Sequence, residues 1–364
     1  MRILFTFVGG SGHFHPLLPI ARAAAAHTVA FACPGRMTPS VEAAGFPVMA
    51  TSKPRSRPGG RSPLLALDPR REERDLREHF ARTGARTQAE ALLGILAEWK
   101  PDVVVRDEMD FGAAIATERL GIPCATVICL AAGGFLRPDV VAEPLHELRT
   151  EHGLPPDPDL AMLTSDLVFA PFPPSFRDPG FPLPANVFSF RPNEPVTGSG
   201  GDAVYFTLGT EFNTESGDLF TRVLTGLRDL PNEVVATVGA SLDPAEFGPQ
   251  PPHVRVERYV PQGELLPRCA AVVSHGGSGS VLGALAHGVP SVLLPMGADQ
   301  PHNARRVAAL GAGLALDPTT VTPADIRAAV TEVIGCRQAA AWIRDENNAL
   351  PGPEATVPLL ESLA

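Results

Sequence analysis

The chain has 364 residues, of which 44% are hydrophobic and 19% are charged, an ordinary composition for a globular protein that leaves room for two domains. Its formal net charge of -10 has the wrong sign for a protein that binds nucleic acid through the phosphate backbone. The sequence contains no run of 18 apolar residues, which argues against a membrane span.

The N-terminus and the cysteines indicate the compartment. The opening MRILFTF lacks a small-residue cleavage site after its apolar run, so it predicts a strand and not a signal peptide. No C-x-x-C occurs, and the spacing favours reduced thiols in a cytoplasm over disulfides or a zinc site. The five cysteines are Cys33, Cys124, Cys129, Cys269 and Cys336.

Apolar runs alternate with amphipathic segments along the first half, which predicts an α/β fold with a doubly wound parallel sheet. The predicted strands of this half are 2–7, 28–33, 46–50, 102–107 and 124–130. The predicted helices are 17–27, 38–45, about 75–98 and 111–121. Residues 51–75 are rich in Pro, Gly and Arg and are predicted to form a loop.

The second half repeats this alternation from AVYFTLG at 203–209 onwards. Between the halves, residues 186–202 carry two Pro and a run of Gly and Ser, which predicts a linker. We therefore expect domains at 1–190 and 202–345, followed by a C-terminal segment at 346–364. Because ligands of open α/β sheets bind at the carboxyl ends of strands, the cleft between two such sheets is the expected site.

The turn SHGGSGS at 274–280 joins a predicted strand to a predicted helix. Glycines there allow a ligand to approach backbone N–H groups at the positive end of the helix, and His275 adds a donor, which suits a diphosphate. Neither G-x-G-x-x-G nor G-x-x-x-x-G-K-[ST] is complete, so the sequence does not indicate a dinucleotide or a P-loop kinase site. A tight turn that binds no ligand remains the alternative.

A second histidine-containing turn, GGSGHFHP, follows the first strand. Histidine has an ordinary pKa near 6.5 and suits a general base, and His13 and His15 are both candidates. Asp107 ends the strand DVVVRD at the same edge of the sheet and can stabilise an imidazolium. Glu108 and Asp110 lie close enough in sequence to remain alternatives to Asp107.

The segment 258–307 carries V-P-Q, H-G-G, G-V-P and D-Q-x-x-N in that order. It resembles the donor-binding signature of family-one nucleotide-sugar glycosyltransferases with the GT-B fold. The N-terminal GSGHFHPLLP is similar to the family's acceptor-side turn, and the C-terminal RDENNALPGPEATVPLLESL resembles the closing helices of the actinobacterial natural-product members. The resemblance implies two facing Rossmann-like domains, an acceptor-binding one followed by a donor-binding one, with the C-terminal helix packing back on the first.

The resemblance also implies roles for individual residues. Its G-H-x-x-P pattern selects His13 over His15 as the base, assisted by Asp107. Val260 and Gln262 would border the nucleobase, and Asp299 and Gln300 would bind sugar hydroxyls. The diphosphate would be held by a larger group, formed by Thr210, His275 and the N–H groups of Gly277, Ser278, Gly279 and Ser280.

UDP-sugar-dependent relatives carry a Glu eight residues after the signature histidine, where this chain has Gly283. The resemblance therefore favours a dTDP-sugar as donor, with a UDP-sugar as the alternative. The implied reaction is a single inverting displacement that needs neither cofactor nor metal. The one D-x-D, at residues 157–159, is predicted to be a turn in a Pro-rich loop.

The acceptor pocket is expected from segments 51–75, 106–112 and 131–145, with a polyketide or aromatic aglycone as acceptor. A homodimer is left open. Two other functions also stay open: a different GT-B enzyme, such as a UDP-N-acetylglucosamine transferase or an epimerase, and a catalytically silent GT-B protein that assists a partner. The apolar candidates for the pocket wall are Met109, Phe111, Phe135 and Leu136.

Overall fold

The computed structural model describes residues 1–54, 62–164, 166–197, 200–210 and 213–364. They form two parallel sheets, one of seven strands in the order β3-β2-β1-β4-β5-β6-β7 and one of six in the order β10-β9-β8-β11-β12-β13. The first sheet contains β1 Arg2–Thr6, β2 Thr28–Pro34, β3 Val48–Ser52, β4 Val103–Asp107, β5 Cys124–Val127, β6 Leu167–Ala170 and β7 Val187–Ser189. The second contains β8 Ala203–Thr207, β9 Val234–Thr237, β10 Val254–Glu257, β11 Cys269–Ser274, β12 Ser291–Leu293 and β13 Gly313–Ala315.

Helices connect the strands and cover the sheets. Those of the first half are α1 Ser11–Phe14, α2 Leu18–Ala23, α3 Thr38–Ala43, α4 Pro69–Arg74, α5 Ala85–Trp99, α6 Phe111–Leu120 and α7 Pro138–Glu151. Those after β8 are α8 Leu219–Leu227, α9 Gln262–Leu265, α10 Ser278–Ala286, α11 Gln300–Ala309, α12 Pro323–Val333, α13 Arg337–Ala349 and α14 Val357–Glu361. Every residue of the central strands β4, β8 and β11 is buried, as expected for parallel strands that are covered on both faces.

The predicted α/β architecture is confirmed, but several predicted boundaries were wrong, among them that of the strand expected at 46–50, which is β3 at Val48–Ser52. The predicted helix 75–98 is a π-helical stretch, Asp75–Gly84, that continues into α5. The strand predicted at 124–130 ends three residues earlier, so residues 128–132 form a loop at the edge of the sheet. The predicted linker 186–202 contains the whole of β7, which pairs with β6 as the last strand of the first sheet.

Parts of two predicted segments, residues 55–61 and 198–199, lie outside the described residues. The D-x-D segment forms a turn, in which Asp157 accepts N–H bonds from Ala161 and Met162. Among the described residues, no helix combines the length and the apolar character that crossing a membrane requires.

The C-terminal segment contacts the first half of the chain. Leu360 of α14 is fully buried in the hydrophobic cluster around β1 and β2. The N–H of Arg191 donates to the carbonyl of Pro351 at 2.9 Å, and Asn348 exchanges two hydrogen bonds with Val196. These contacts join the end of the chain to the connection between the two sheets.

Candidate functional site

His13 lies where β1 ends and α1 begins, at the carboxyl edge of the first sheet. Its side chain is 18% exposed. Beneath the ring lies Gly9, which adopts φ +75°, and a methyl group there would be only 2.6 Å from Cδ2 of His13. Both the backbone conformation and the close approach require glycine at this position.

Asp107, at the end of β4, binds the ring of His13. Its Oδ1 lies 3.2 Å from Nδ1 of His13, and the carboxylate also accepts the N–H groups of Val8 at 2.8 Å and Met109 at 2.7 Å. These backbone donors fix the orientation of the carboxylate. A proton on Nδ1 directed to Asp107 leaves the lone pair on Nε2, which is the tautomer that a general base requires.

The surroundings of His13 raise its pKa above the ordinary value. Burial acts in the opposite direction, but the charge and hydrogen bond of Asp107 outweigh it, with further contributions from Glu108 and Asp299. His15 is exposed, and partial burial together with Arg22 lowers its pKa. Of the two histidines, only His13 has a carboxylate bonded to its ring among the described residues.

The other two carboxylates that follow β4 have different partners. Oε1 of Glu108 accepts the N–H groups of Cys129 at 2.7 Å and Leu130 at 2.6 Å. Asp110 caps α6 and accepts hydrogen bonds from Thr6 and Gln88, and burial raises its pKa to about 6. Glu108 therefore holds the loop after β5, and Asp110 joins β1 and α5 to the start of α6; neither side chain is bonded to His13.

Two side chains next to His13 were missed at the sequence level. Sγ of Cys129 lies 3.5 Å from Nδ1 of His13 and 4.0 Å from Oδ1 of Asp107. The ring of Phe80, from the π-helical stretch, is stacked over His13 with 6.5 Å between centroids. The early end of β5 and the irregular helix bring these side chains to the site, and neither feature is visible in the hydrophobic pattern.

His275 follows β11 at the carboxyl edge of the second sheet, packed between two glycines. A methyl group at Gly209, where φ is +74°, would lie 2.7 Å from its Nε2, and one at Gly277 would lie 2.6 Å from the same atom. Burial lowers the pKa of His275 to about 4. This imidazole is therefore neutral at physiological pH.

Asp299 occupies part of the N-terminus of α10. Its Oδ2 accepts the backbone N–H of Ser278 at 3.1 Å and the hydroxyl of the same residue at 2.6 Å. The N–H of Ser280 donates back to the carbonyl of Gly277. Thus the expected diphosphate donors Ser278 and Ser280 use their N–H groups within the protein, whereas Gly277 and Gly279 stand at the helix start, where N–H groups have no intrahelical acceptor.

Asn303 and Ser278 connect the two halves at this edge. Nδ2 of Asn303 donates to Asp299 at 2.8 Å and to the Ser278 hydroxyl oxygen at 3.1 Å. Oδ1 of Asn303 accepts the N–H of Ala132, and Oγ of Ser278 accepts the N–H of Ala131. The carboxyl edges of the sheets therefore meet, with the loop after β5 bonded to α10 and α11.

The remaining predicted donor residues lie along the same edge. Gln300 is buried, and its Oε1 accepts the N–H of Met296 at 2.7 Å, so its side chain braces the turn before α11. Thr210 is exposed after β8, and Val260 is half-buried after β10. A methyl group at Gly283 would lie 3.3 Å from Oε1 of Gln262, which places residue 283 beside the residue expected at the nucleobase.

The four predicted acceptor residues separate into two pairs. Met109 and Phe111 are 2% and 1% exposed inside a hydrophobic cluster, whereas Phe135 and Leu136 are half-buried against it.

The segment 62–65 borders a cavity of about 220 Å³ together with Met296 of the second half. Nearby, Oε2 of Glu72 in α4 accepts the N–H of Ala298 at 2.8 Å.

Two facing parallel sheets, with a histidine–aspartate pair on one and a glycine-rich helix start on the other, define a GT-B glycosyltransferase. The Erythromycin biosynthesis protein CIII-like C-terminal domain matches residues 221–363. The chain is 31% identical to 4'-demethylrebeccamycin synthase of Lentzea aerocolonigenes, over 100% of this chain and 99% of the relative. It is 29% identical to 10-deoxymethynolide desosaminyltransferase of Streptomyces venezuelae, covering 100% and 97%.

Among solved structures, the glycosyltransferase SsfS6 of Streptomyces sp. SF2575, complexed with thymidine diphosphate, superposes with a TM-score of 0.76. It is 26% identical in sequence, and the match covers 100% of this chain and 99% of that one. The chain thus belongs to the family of actinobacterial natural-product glycosyltransferases of the GT-B fold.

Proposed function

We propose that the protein transfers a deoxysugar from a dTDP-sugar to a hydroxyl of a hydrophobic aglycone, with inversion and without a metal. The observation that carries this proposal is the 3.2 Å contact between Nδ1 of His13 and Oδ1 of Asp107 at the edge where the halves meet. A catalytically silent partner protein has no need of a histidine held in the tautomer of a base.

His13 acts as the general base through Nε2. An acceptor hydroxyl loses its proton to Nε2 while its oxygen attacks the anomeric carbon of the donor sugar, and the bond from that carbon to the diphosphate breaks. Asp107 stabilises the imidazolium that forms, because it already accepts the hydrogen bond of Nδ1. Attack from the face opposite the leaving group inverts the anomeric configuration.

The departing diphosphate is held at the start of α10. Neutral His275 supplies a donor, and the N–H groups of Gly277 and Gly279 add others at the positive end of the helix. Thr210, exposed after β8, supplies a hydroxyl from the neighbouring strand. Asp299 orients Ser278 and Asn303 and so contributes to the shape of the sugar pocket.

The donor nucleotide follows from Gly283. This residue faces Gln262 on the side of the site assigned to the nucleoside, and it offers no carboxylate to a ribose 2′-hydroxyl. A 2′-deoxyribose has no such hydroxyl to satisfy, which favours dTDP over UDP. The exposed ring of Tyr259, beside Val260, adds a flat apolar surface for a base. Thymidine diphosphate bound to the similar SsfS6 structure supports the same choice.

The acceptor is proposed to be a polyketide or aromatic aglycone. Phe80 is half-buried beside His13, and Phe135 and Leu136 are half-buried against the hydrophobic cluster that contains Met109 and Phe111. Together they offer apolar surface to a flat or branched acceptor. By their names, one of the similar proteins synthesises 4'-demethylrebeccamycin and the other transfers a desosaminyl group to 10-deoxymethynolide. Met109 and Phe111 support this wall from behind, since both are buried.

Titration of dTDP and UDP tests the donor assignment. A buried 2′-hydroxyl without an acceptor costs about 1–3 kcal/mol, so UDP should bind roughly one to two decades more weakly than dTDP. The Gly283→Glu variant should narrow this gap, with Gln262 moving aside to admit the new side chain. Equal affinities in the unaltered protein would contradict the role of Gly283, and activity lost on EDTA treatment and restored by Mg²⁺ would contradict the metal-independent reaction.

A further inference from the structure

Three potential metal ligands meet beside the proposed base. Nδ1 of His13, Oδ1 of Asp107 and Sγ of Cys129 all lie within 4.8 Å of one another. They come from the carboxyl ends of three adjacent strands, since the sheet runs β1-β4-β5. The scattered positions of the cysteines argue against a zinc site at the sequence level, because spacing patterns detect ligands that are close along the chain and miss those that a sheet brings together.

The distances between these atoms match a tetrahedral zinc ion. Zinc bonds of about 2.0 Å to nitrogen and oxygen and about 2.3 Å to sulfur give edges of about 3.3 Å for N···O and about 3.5 Å for N···S and O···S. The corresponding distances in the structure are 3.2, 3.5 and 4.0 Å. Only the distance between Sγ of Cys129 and Oδ1 of Asp107 has to shorten, by about 0.5 Å, for the three atoms to bind one tetrahedral ion.

The neighbouring groups favour a cation in this position. The N–H groups of Val8 and Met109 hold Asp107, and Glu108 holds the backbone of Cys129, so two of the ligands are already oriented by surrounding bonds. Glu108 and Asp299 add negative potential to that of Asp107 itself. A thiolate and an imidazole select a zinc-like ion over Mg²⁺ or Ca²⁺, which prefer oxygen ligands.

We propose that His13, Asp107 and Cys129 form an inhibitory zinc site at the catalytic base. The thiol releases its proton to solvent, and the imidazole exchanges its Nδ1 proton for one on Nε2. Because a neutral imidazole bound to metal through Nδ1 carries its proton on Nε2, no lone pair remains there for an acceptor hydroxyl. Zinc would therefore arrest the enzyme by fixing the wrong tautomer. The inhibition, though not the metal site, rests on the proposed role of His13.

Cobalt binding tests the site without turnover. Co²⁺ added to the full-length protein should give the near-ultraviolet absorption of a cobalt–thiolate bond, and Cys129→Ala should abolish it. Cys336→Ala is the control, since Cys336 is the one cysteine among the described residues that is not buried and it lies outside the cluster, so this variant should keep the band. A band that persists without Cys129, or that never forms, would overturn the proposal.

Zinc inhibition tests the consequence, with each variant compared with its own zinc-free rate. Even outer-sphere changes weaken metal affinity about 10- to 100-fold, so Cys129→Ala should raise the zinc concentration for half-inhibition by at least about ten-fold. EDTA should restore activity, and Mg²⁺ should not inhibit. Cys129→Ser, which retains a polar group of similar size, provides a second variant should the alanine protein fold poorly.

The two measurements separate the site from the function. Zinc sensitivity that is unchanged in both Cys129 variants would overturn the inhibitory site. A cobalt spectrum that depends on Cys129 without any inhibition by zinc would overturn the tautomer block and the assignment of His13 as the base, while the metal-binding cluster itself would stand.

Discussion

The two sheets place different residues at the same position. In the first half, Thr6 of β1 pairs with Arg106, so Asp107 stands one residue beyond the paired register. In the second half, Thr207 of β8 pairs with Ser274, so His275 stands one residue beyond. The same strand end therefore carries a carboxylate in one half and an imidazole in the other.

The two halves also share a glycine beside a histidine, but they differ in the pKa of that histidine. Gly9 and Gly209 both adopt positive φ after the first strand of their half, and each lies against a histidine ring. The carboxylate beside His13 raises its pKa, whereas burial alone accounts for the lowered pKa of His275. One supersecondary plan thus yields a histidine with a raised pKa where an acid lies next to the ring and a histidine with a lowered pKa where burial dominates.

Replacing His13 with alanine should have the largest effect. Turnover should fall roughly 10²–10⁴-fold because the general base is lost, while the affinity for dTDP stays unchanged. Steady-state kinetics and calorimetric titration measure the two quantities separately. His15→Ala is the matched control and should keep normal turnover. A His13→Ala protein with unaltered turnover would contradict the role of His13 as the base, and with it the functional difference between the two halves.

Replacing His275 with alanine should affect the other half of the mechanism. A hydrogen bond to a charged group contributes about 1.5–3 kcal/mol, so the Kd for dTDP should rise roughly 10- to 100-fold. Calorimetric titration of dTDP measures this, with His13→Ala as the control that retains affinity. Normal dTDP binding by the His275→Ala protein would show that the diphosphate is held elsewhere.

The Asp107→Asn variant tests the origin of the raised pKa of His13. The base works when it is neutral, so kcat/KM of the unaltered enzyme should rise with pH through a limb above pH 6.5, the ordinary pKa of histidine. Without the carboxylate, burial dominates, and the limb should move to lower pH. The maximal rate should also fall, about 10- to 100-fold, since the imidazolium loses its charged partner. A limb that stays in place would show that other groups set this pKa.

Alanine at the two glycines should give smaller and separable effects. A side chain at positive φ costs about 1–2 kcal/mol of stability, and each methyl group displaces the histidine above it. Gly9→Ala should lower kcat more than it lowers the affinity for dTDP. Gly209→Ala should lower the affinity for dTDP more than it lowers kcat. Gly12, which has open space around it and an ordinary φ, is the matched control. Identical effects of the two substitutions would mean that the halves are not independent.

The positions of three candidate site residues could be predicted from strand ends in the sequence. Asp107 ends β4 and His13 follows β1 in the first sheet, whereas His275 follows β11 in the second, and the carboxyl ends of the parallel strands lie at one edge of each sheet. Cys129 could not be predicted in this way, because the apolar run CATVICL gives no sign that β5 ends at Val127, two residues before Cys129. The bond from Asn303 to Ala132 spans 171 residues and depends on how the halves meet, which hydrophobic periodicity does not encode.

The contacts between the halves bear on how such enzymes can be recombined. From the first half, Ser278 and Asn303 accept hydrogen bonds from the backbone N–H groups of Ala131 and Ala132, and these donors are not side chains. Any residue except proline supplies that N–H group, so the first half can diverge at these positions without losing the contact. Chimeras that graft the second half of this chain onto the first half of a relative should therefore retain this junction, provided that the loop after β5 keeps its length.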